Sequence, residues 1–198
     1  MRVTKRRAET RARLLDAAFR VFAAKGFGAA RIDDVCEAAG FTRGAFYSNF
    51  ASLDELFFAL YDERAAIISS QVAAALATEE GAPIEPSIHG VISRTAATLL
   101  LDRDWLLVKT DFLLYAARHP EVAVLLAAHR AELRAAIEAR LATAHGRLAL
   151  PRGVADVPAA ARAVVAAYDG VTVQLLLDGD LTAARAWLTQ LLTALLVR

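Results

Sequence analysis

Apolar residues recur along this chain at helical rather than strand spacing. Leu14, Leu15, Ala18, Phe19 and Phe22 form one stripe with arginines on the opposite side, the pattern of an amphipathic helix. Lys25 and Gly26 then supply a basic last turn and a stop. A second, short helix is expected over 32–39, ended by Gly40, and a third over 43–48 with Thr42 as its N-cap. A fourth begins at Ser52, where Ser52-Leu53-Asp54-Glu55 reads as a capping box, and runs to about residue 78. The stretch 79–86, with Gly81, Pro83 and Pro86, is the clearest linker. Further helices are expected over 87–101, 102–118, 120–146, 158–177 and 181–197. A loop with Pro151 and Gly153 precedes the last two, and the turn Asp178-Gly179-Asp180 separates them. Alternating β-branched runs are absent, so the expected fold is all-α with nine helices.

Composition agrees. Of the 198 residues 57% are apolar, above the roughly 45–50% of an average globular chain, and much of the excess is helix-forming alanine and leucine. No run of about 18 apolar residues without charge occurs, so no membrane span is expected. The basic start Met1-Arg2-Val3-Thr4-Lys5-Arg6-Arg7 has no apolar segment behind it, which argues against a secretion signal. A lone cysteine, Cys36, fits a reducing, cytoplasmic setting. Net charge is only +1, but it is unevenly spread. Residues 1–50 carry ten Lys/Arg against five Asp/Glu, and residues 51–198 carry thirteen against seventeen. A basic front on a mildly acidic body points to a polyanion meeting the front alone.

The segment 32–50, IDDVCEAAGFTRGAFYSNF, gives that front a shape. Ile32, Val35, Ala39, Phe41 and Phe46 supply a small core between two helices, and Gly40 permits the tight turn joining them. A second helix of six or seven residues spans about 10 Å, comparable with a DNA major groove about 12 Å wide. Thr42 and Arg43 stand at its leading end, where base edges are met, and Arg43 suits a bidentate contact with guanine. Gly44 and Ala45 let the backbone approach closely, while Tyr47, Ser48 and Asn49 offer polar groups to phosphate or base. Arg31 and the start of the fourth helix at Ser52 are further phosphate candidates.

Over residues 10–56 the chain resembles the N-terminal domain of the TetR family of transcription regulators. The matching pieces are Arg13-Leu14-Leu15-Asp16-Ala17-Ala18, Phe22-Ala23-Ala24-Lys25-Gly26-Phe27, the run from Ala38 to Tyr47, and Phe50 with Leu53-Asp54-Glu55-Leu56. The resemblance implies a DNA-binding domain over 1–51, and a ligand-sensing and dimerisation domain over 52–198. It also implies a homodimer on a palindromic double-stranded operator, usually as a repressor. By position Thr42, Arg43, Gly44, Ala45 and Tyr47 are then DNA-facing, with Tyr47 on a phosphate. Ala51 and Leu53 stand where lysine is frequent in the family, and Arg31 replaces a frequent Ser/Thr cap.

The body offers two weaker patterns. Val164, Val171 and Leu175 on the eighth helix, with Ala184, Leu188, Leu191 and Leu195 on the ninth, make an apolar surface suited to a two-fold four-helix bundle. Trp105, Lys109, Phe112 and Tyr115, with Tyr61, Tyr168 and Thr172, describe a wall for a small apolar or aromatic effector, and equally an ordinary core. The four histidines form no metal-binding spacing, and no nucleophile has an assignable base, so neither a cofactor nor catalysis is expected. Two alternatives stay open: a helical metabolite-binding protein or small enzyme that ignores DNA, and an architectural DNA binder with little sequence preference.

Overall fold

A computed structural model describes residues 2–76, 88–98, 102–144, 150–151 and 153–197. Among them lie nine α-helices, one short 3-10 turn and no strand. The helices are α1 (Arg2–Lys25), α2 (Ile32–Ala39), α3 (Arg43–Tyr47), α4 (Leu53–Leu76), α5 (Ile88–Thr98), α6 (Arg103–Ala116), α7 (Pro120–Ala144), α8 (Val157–Asp178) and α9 (Leu181–Leu196), and the 3-10 turn is Phe27–Ala29. The linker expected at 79–86 lies outside the described residues, as do 147–149 of the expected loop.

Helix ends follow from local chemistry. Orphan N–H groups at helix starts are taken by side-chain oxygens one turn back. Thr42 accepts from Ala45 N at 3.3 Å, Ser52 from Glu55 N at 3.1 Å, Asp102 from Trp105 N at 2.7 Å, Asp156 from Ala159 N at 2.7 Å and Asp180 from Ala183 N at 2.9 Å. At Ser52 the return arm differs from a standard box: the Glu55 carboxylate accepts from Ala51 N at 2.6 Å, one residue upstream. Arg31 has no acceptor to offer α2, so only the return arm forms there, with Asp34 accepting from Arg31 N at 3.0 Å. Gly40 and Gly179 end α2 and α8 with φ of 69° and 70°, which glycine adopts without strain.

The chain packs as two compact units. The first joins Met1–Arg64 to Asp102–Ala127, and the second joins Ala65–Leu101 to Ala128–Arg198. This grouping departs from a cut at 51/52, because α6 packs on α1 and on the 3-10 turn. The core of the first unit is aromatic and aliphatic: Leu14, Phe22, Val35, Phe46, Phe50, Leu56, Phe57 and Phe112 are all buried. In the second unit α9 packs on both α8 and α5, burying Val171, Leu175, Ala184, Leu188, Leu192 and Ile92. By length and composition α8 is apolar enough to cross a membrane, although Arg162 and Asp169 interrupt it, so its longest uncharged run stays well short of 18 residues. Its pairing with α9 accounts for part of that apolar character.

Candidate nucleic-acid interface

Helices α2 and α3 meet through the left-handed Gly40, whose neighbour Phe41 donates its N–H to Cys36 O at 2.9 Å. Val35, Ala39 and Phe46 are buried beneath the turn, fixing the angle between the helices. Burial also raises the pKa of Cys36, so the thiol stays protonated and behaves as a small core side chain.

Three arginines of α1 brace this motif from behind, a role that sequence spacing alone did not suggest. Arg13 donates to Ala39 O at 2.8 Å and lies 4.5 Å over the Phe41 ring, so a cation meets the carbonyl end of α2. Arg7 donates to Ser48 O at 3.2 Å and Arg11 to Asn49 O at 3.3 Å, which does the same for the end of α3. Arg11 also covers the Phe50 ring at 4.3 Å. Lys25 and Asp34 pair at 2.8 Å, joining the end of α1 to the first turn of α2. That hydrogen bond, helped by the Arg31 N–H, holds the Asp34 carboxyl below its ordinary pKa.

The outward face of α3 carries most of the expected residues. Thr42, Arg43, Gly44, Tyr47 and Ser48 are exposed, Ala45 is half-buried, and Phe46 points into the core. Arg43 pairs with Asp33 of α2 at 3.3 Å, with both side chains largely in solvent. The Tyr47 hydroxyl first, and Asp33 second, push the Arg43 pKa further up, so its charge is permanent. Arg31 is exposed at the start of α2, and Ser52 is half-buried as the α4 cap. Asn49 differs from expectation. It is 9% exposed, and its amide donates to Ala45 O at 2.8 Å and to Ser48 Oγ at 3.2 Å, tying off the end of α3 instead of facing outward.

A second set of contacts ties this motif to α6. The Phe27 ring lies 4.7 Å from Phe112 and 4.8 Å from Tyr115, and it also touches Phe22 and Phe57. Its backbone N–H donates to the Asp111 carboxylate. No motif signals this partnership, since Asp111 lies 84 positions away.

The expected effector residues divide between the units. In the first, Tyr61, Trp105 and Phe112 are buried, and Phe112 stacks on Phe57 at 3.5 Å with the rings 9° from parallel. Trp105 meets Phe57 and Tyr61 at 6.4 and 6.0 Å, and Tyr115 stacks on His119 at 4.0 Å, so these rings pack against one another. Lys109 is half-buried on the same helix. In the second unit Tyr168 is half-buried, and the buried Thr172 donates its hydroxyl to Asp169 O at 2.8 Å. Of the expected interface residues, Val171, Leu175, Ala184 and Leu188 are buried within the chain, while Val164, Leu191 and Leu195 are half-buried. The exposed large apolar side chains on α8 and α9 are Val173, Leu177, Leu181 and Trp187.

Comparison with known proteins bears on what this surface is for. Residues 14–60 match the family of bacterial regulatory proteins named for TetR, and residues 87–197 match the C-terminal domain of BetI-type transcriptional repressors. A stretch of 62 residues, 31% of the chain, is 39% identical to the HTH-type transcriptional regulator AcrR of Shigella flexneri, and the match spans only 29% of that protein. A transcriptional regulator from Rhodococcus sp. Rha1 superposes with a TM-score of 0.72 over 93% of this chain and 95% of that one, at 21% identity. The multidrug binding protein EbrR, solved with imidazole, superposes with a TM-score of 0.60 over 91% of this chain and 93% of that one, at 28% identity. With one match over the helix-turn-helix and a second over more than half its length, the chain belongs to the TetR family of bacterial transcription regulators, with a C-terminal half of the BetI repressor type.

Proposed function

We propose that this protein is a homodimeric repressor that holds a palindromic operator through α3 and lets go when its body binds a small molecule. The observation carrying the reading is the outward face of α3. A permanently charged arginine, a threonine, a glycine and a tyrosine project from a short helix braced at its carbonyl end by cations of α1. Arg43 reads a base edge with Thr42 beside it at the leading end of α3, while Tyr47, Ser48 and Arg31 grip phosphates. Residues 1–51 form the DNA-binding part, and 52–198 the sensing and dimerising part.

Dimerisation follows from two considerations. A single short recognition helix binds weakly, and two half-sites multiply modest affinities. Helices α8 and α9 keep Leu177 83% exposed and Trp187 53% exposed, a large apolar area for a chain to leave in water. These residues, with Val173, Leu181 and the half-buried Val164, Leu191 and Leu195, form the face for a second copy. The effector acts by preferring the dimer conformation whose two DNA-binding parts do not fit the operator. Such a regulator works in the cytoplasm, beside the DNA it controls.

Selection of bound duplexes from a random pool tests the reading. A palindrome with half-sites about one helical turn or more apart is expected. Retention of every duplex alike, with a steep salt dependence, would replace it by an architectural role. A monomer that retains no duplex would refute it.

A further inference from the structure

The second unit holds a cleft between α7 and α8 with a chemistry that the aromatic residues of the first unit do not have. Its volume is about 530 Å³, within the range of small-molecule sites. Along α7, Arg130, Arg134 and Glu138 follow at intervals of four, which puts them on one face of the helix. Along α8, Arg162, Val165, Ala166 and Asp169 fall three or four positions apart, or side by side, and so share one face as well. Arg130 and Asp169 pair across the cleft at 2.5 Å, with side chains 26% and 34% exposed. This bridge neutralises one charge of each sign and links α7 to α8.

Two guanidiniums remain. Among the described residues neither Arg134, half-buried, nor Arg162, exposed, has an ion-pair or hydrogen-bond partner. Glu138 is the one other acidic group lining the cleft, so the balance left after the bridge is positive. Between the charges the lining is small and apolar, with Val165, Ala166 and Ala131. A guanidinium recognises a carboxylate bidentately, and the exposed methyl groups of Ala131 and Ala166 with the half-buried Val165 offer apolar contact to a short hydrocarbon body. Glu138 repels a second negative charge, which favours a monoanion.

We propose that the α7–α8 cleft binds a small monocarboxylate with an apolar body, its carboxylate held by Arg134 and Arg162. The site deepens the effector reading above: it keeps an apolar body for the ligand and adds an anionic head. It rests on that reading only for its consequence at the operator, because binding itself is measured without DNA.

The test is calorimetric titration of the full-length protein with straight-chain carboxylates of four to eight carbons. The matching alcohols and inorganic phosphate serve as probes of the two halves of the ligand. Saturable binding tighter than about 1 mM is expected for at least one carboxylate and for neither control. Arg134→Gln and Arg162→Gln should each weaken it about ten-fold, with thermal unfolding unchanged since both side chains reach solvent. No binding across the series, equal binding of the alcohol or of phosphate, or indifference to both substitutions would overturn the site. Should a carboxylate bind as described and leave operator affinity unchanged, the site stands and its role as the effector site falls.

Discussion

The Asp111 carboxylate of α6 accepts the backbone N–H of Phe27, at the start of the 3-10 turn that separates α1 from α2. The same turn drives the Phe27 ring between Phe112 and Tyr115 of α6. One helix thus holds the loop behind the helix-turn-helix by both a charged hydrogen bond and an aromatic plug. Asp111→Ala should cost about 1.5–3 kcal/mol of stability, while Asp111→Asn, which still offers an oxygen, should cost less. Thermal unfolding with amide exchange at Phe27 checks this. Equal protection of that amide in the wild type and Asp111→Ala would refute the role.

Gly26 makes this contact geometrically possible. Its φ of 79° suits glycine, and a Cβ there would sit 3.1 Å from the Asp111 carboxylate oxygen. Gly26→Ala should therefore destabilise the protein by about 1–3 kcal/mol, combining backbone strain with a displaced hydrogen bond. A melting temperature equal to wild type would show that the turn relaxes freely.

Arg43 pairs with Asp33 at 3.3 Å, so under the proposed function it would exchange that carboxylate for a base edge. Arg43→Ala is expected to lose about 1–3 kcal/mol of operator affinity and to relax base choice at one position per half-site. Asp33→Asn should act in the opposite direction, tightening binding about two- to five-fold by removing a weak competitor and a negative charge from the DNA face. Fluorescence anisotropy against the selected operator and its single-base variants measures both. Weaker binding by Asp33→Asn would mean that the pair positions Arg43 instead of restraining it.

At the start of α4, burial raises the Asp54 pKa above its ordinary value, with the His119 imidazole partly opposing. One Asp54 carboxylate oxygen is buried without a hydrogen-bond partner among the described residues. A raised folded-state pKa means that the ionised form is disfavoured by folding. Its cost is therefore present at neutral pH and disappears as pH falls through the folded pKa. Asp54→Asn should raise Tm at pH 7 by about 2 °C, somewhat under 1 kcal/mol for a chain of this length, and the gain should vanish near pH 4. Melting curves across that interval check the sign.

Much of the site was legible because it is local. The α2–turn–α3 motif is shaped by its own caps, turn glycine and apolar spacing, so Thr42, Gly40, Ile32, Val35 and Ala39 foretell it, although the arginines of α1 that brace it come from far along the chain. The inward placement of Asn49 is not legible for a reason of the same scale. A polar residue at a helix end can face solvent or bond to its own last turn, and sequence does not say which.

Local propensity and periodicity, acting within a few turns of helix, settled the all-α class, the helix order and the α2–turn–α3 motif. These depend on neighbours in the chain, which the sequence displays directly. Tertiary packing decided everything that joins distant residues. It put Asp111 on Phe27, spent the arginines of α1 on helix ends, filled the space around Phe112 with other rings, and brought Arg134 and Arg162 to one cleft. Such pairings arise only when the helices come together, so no spacing within any one of them encodes the result.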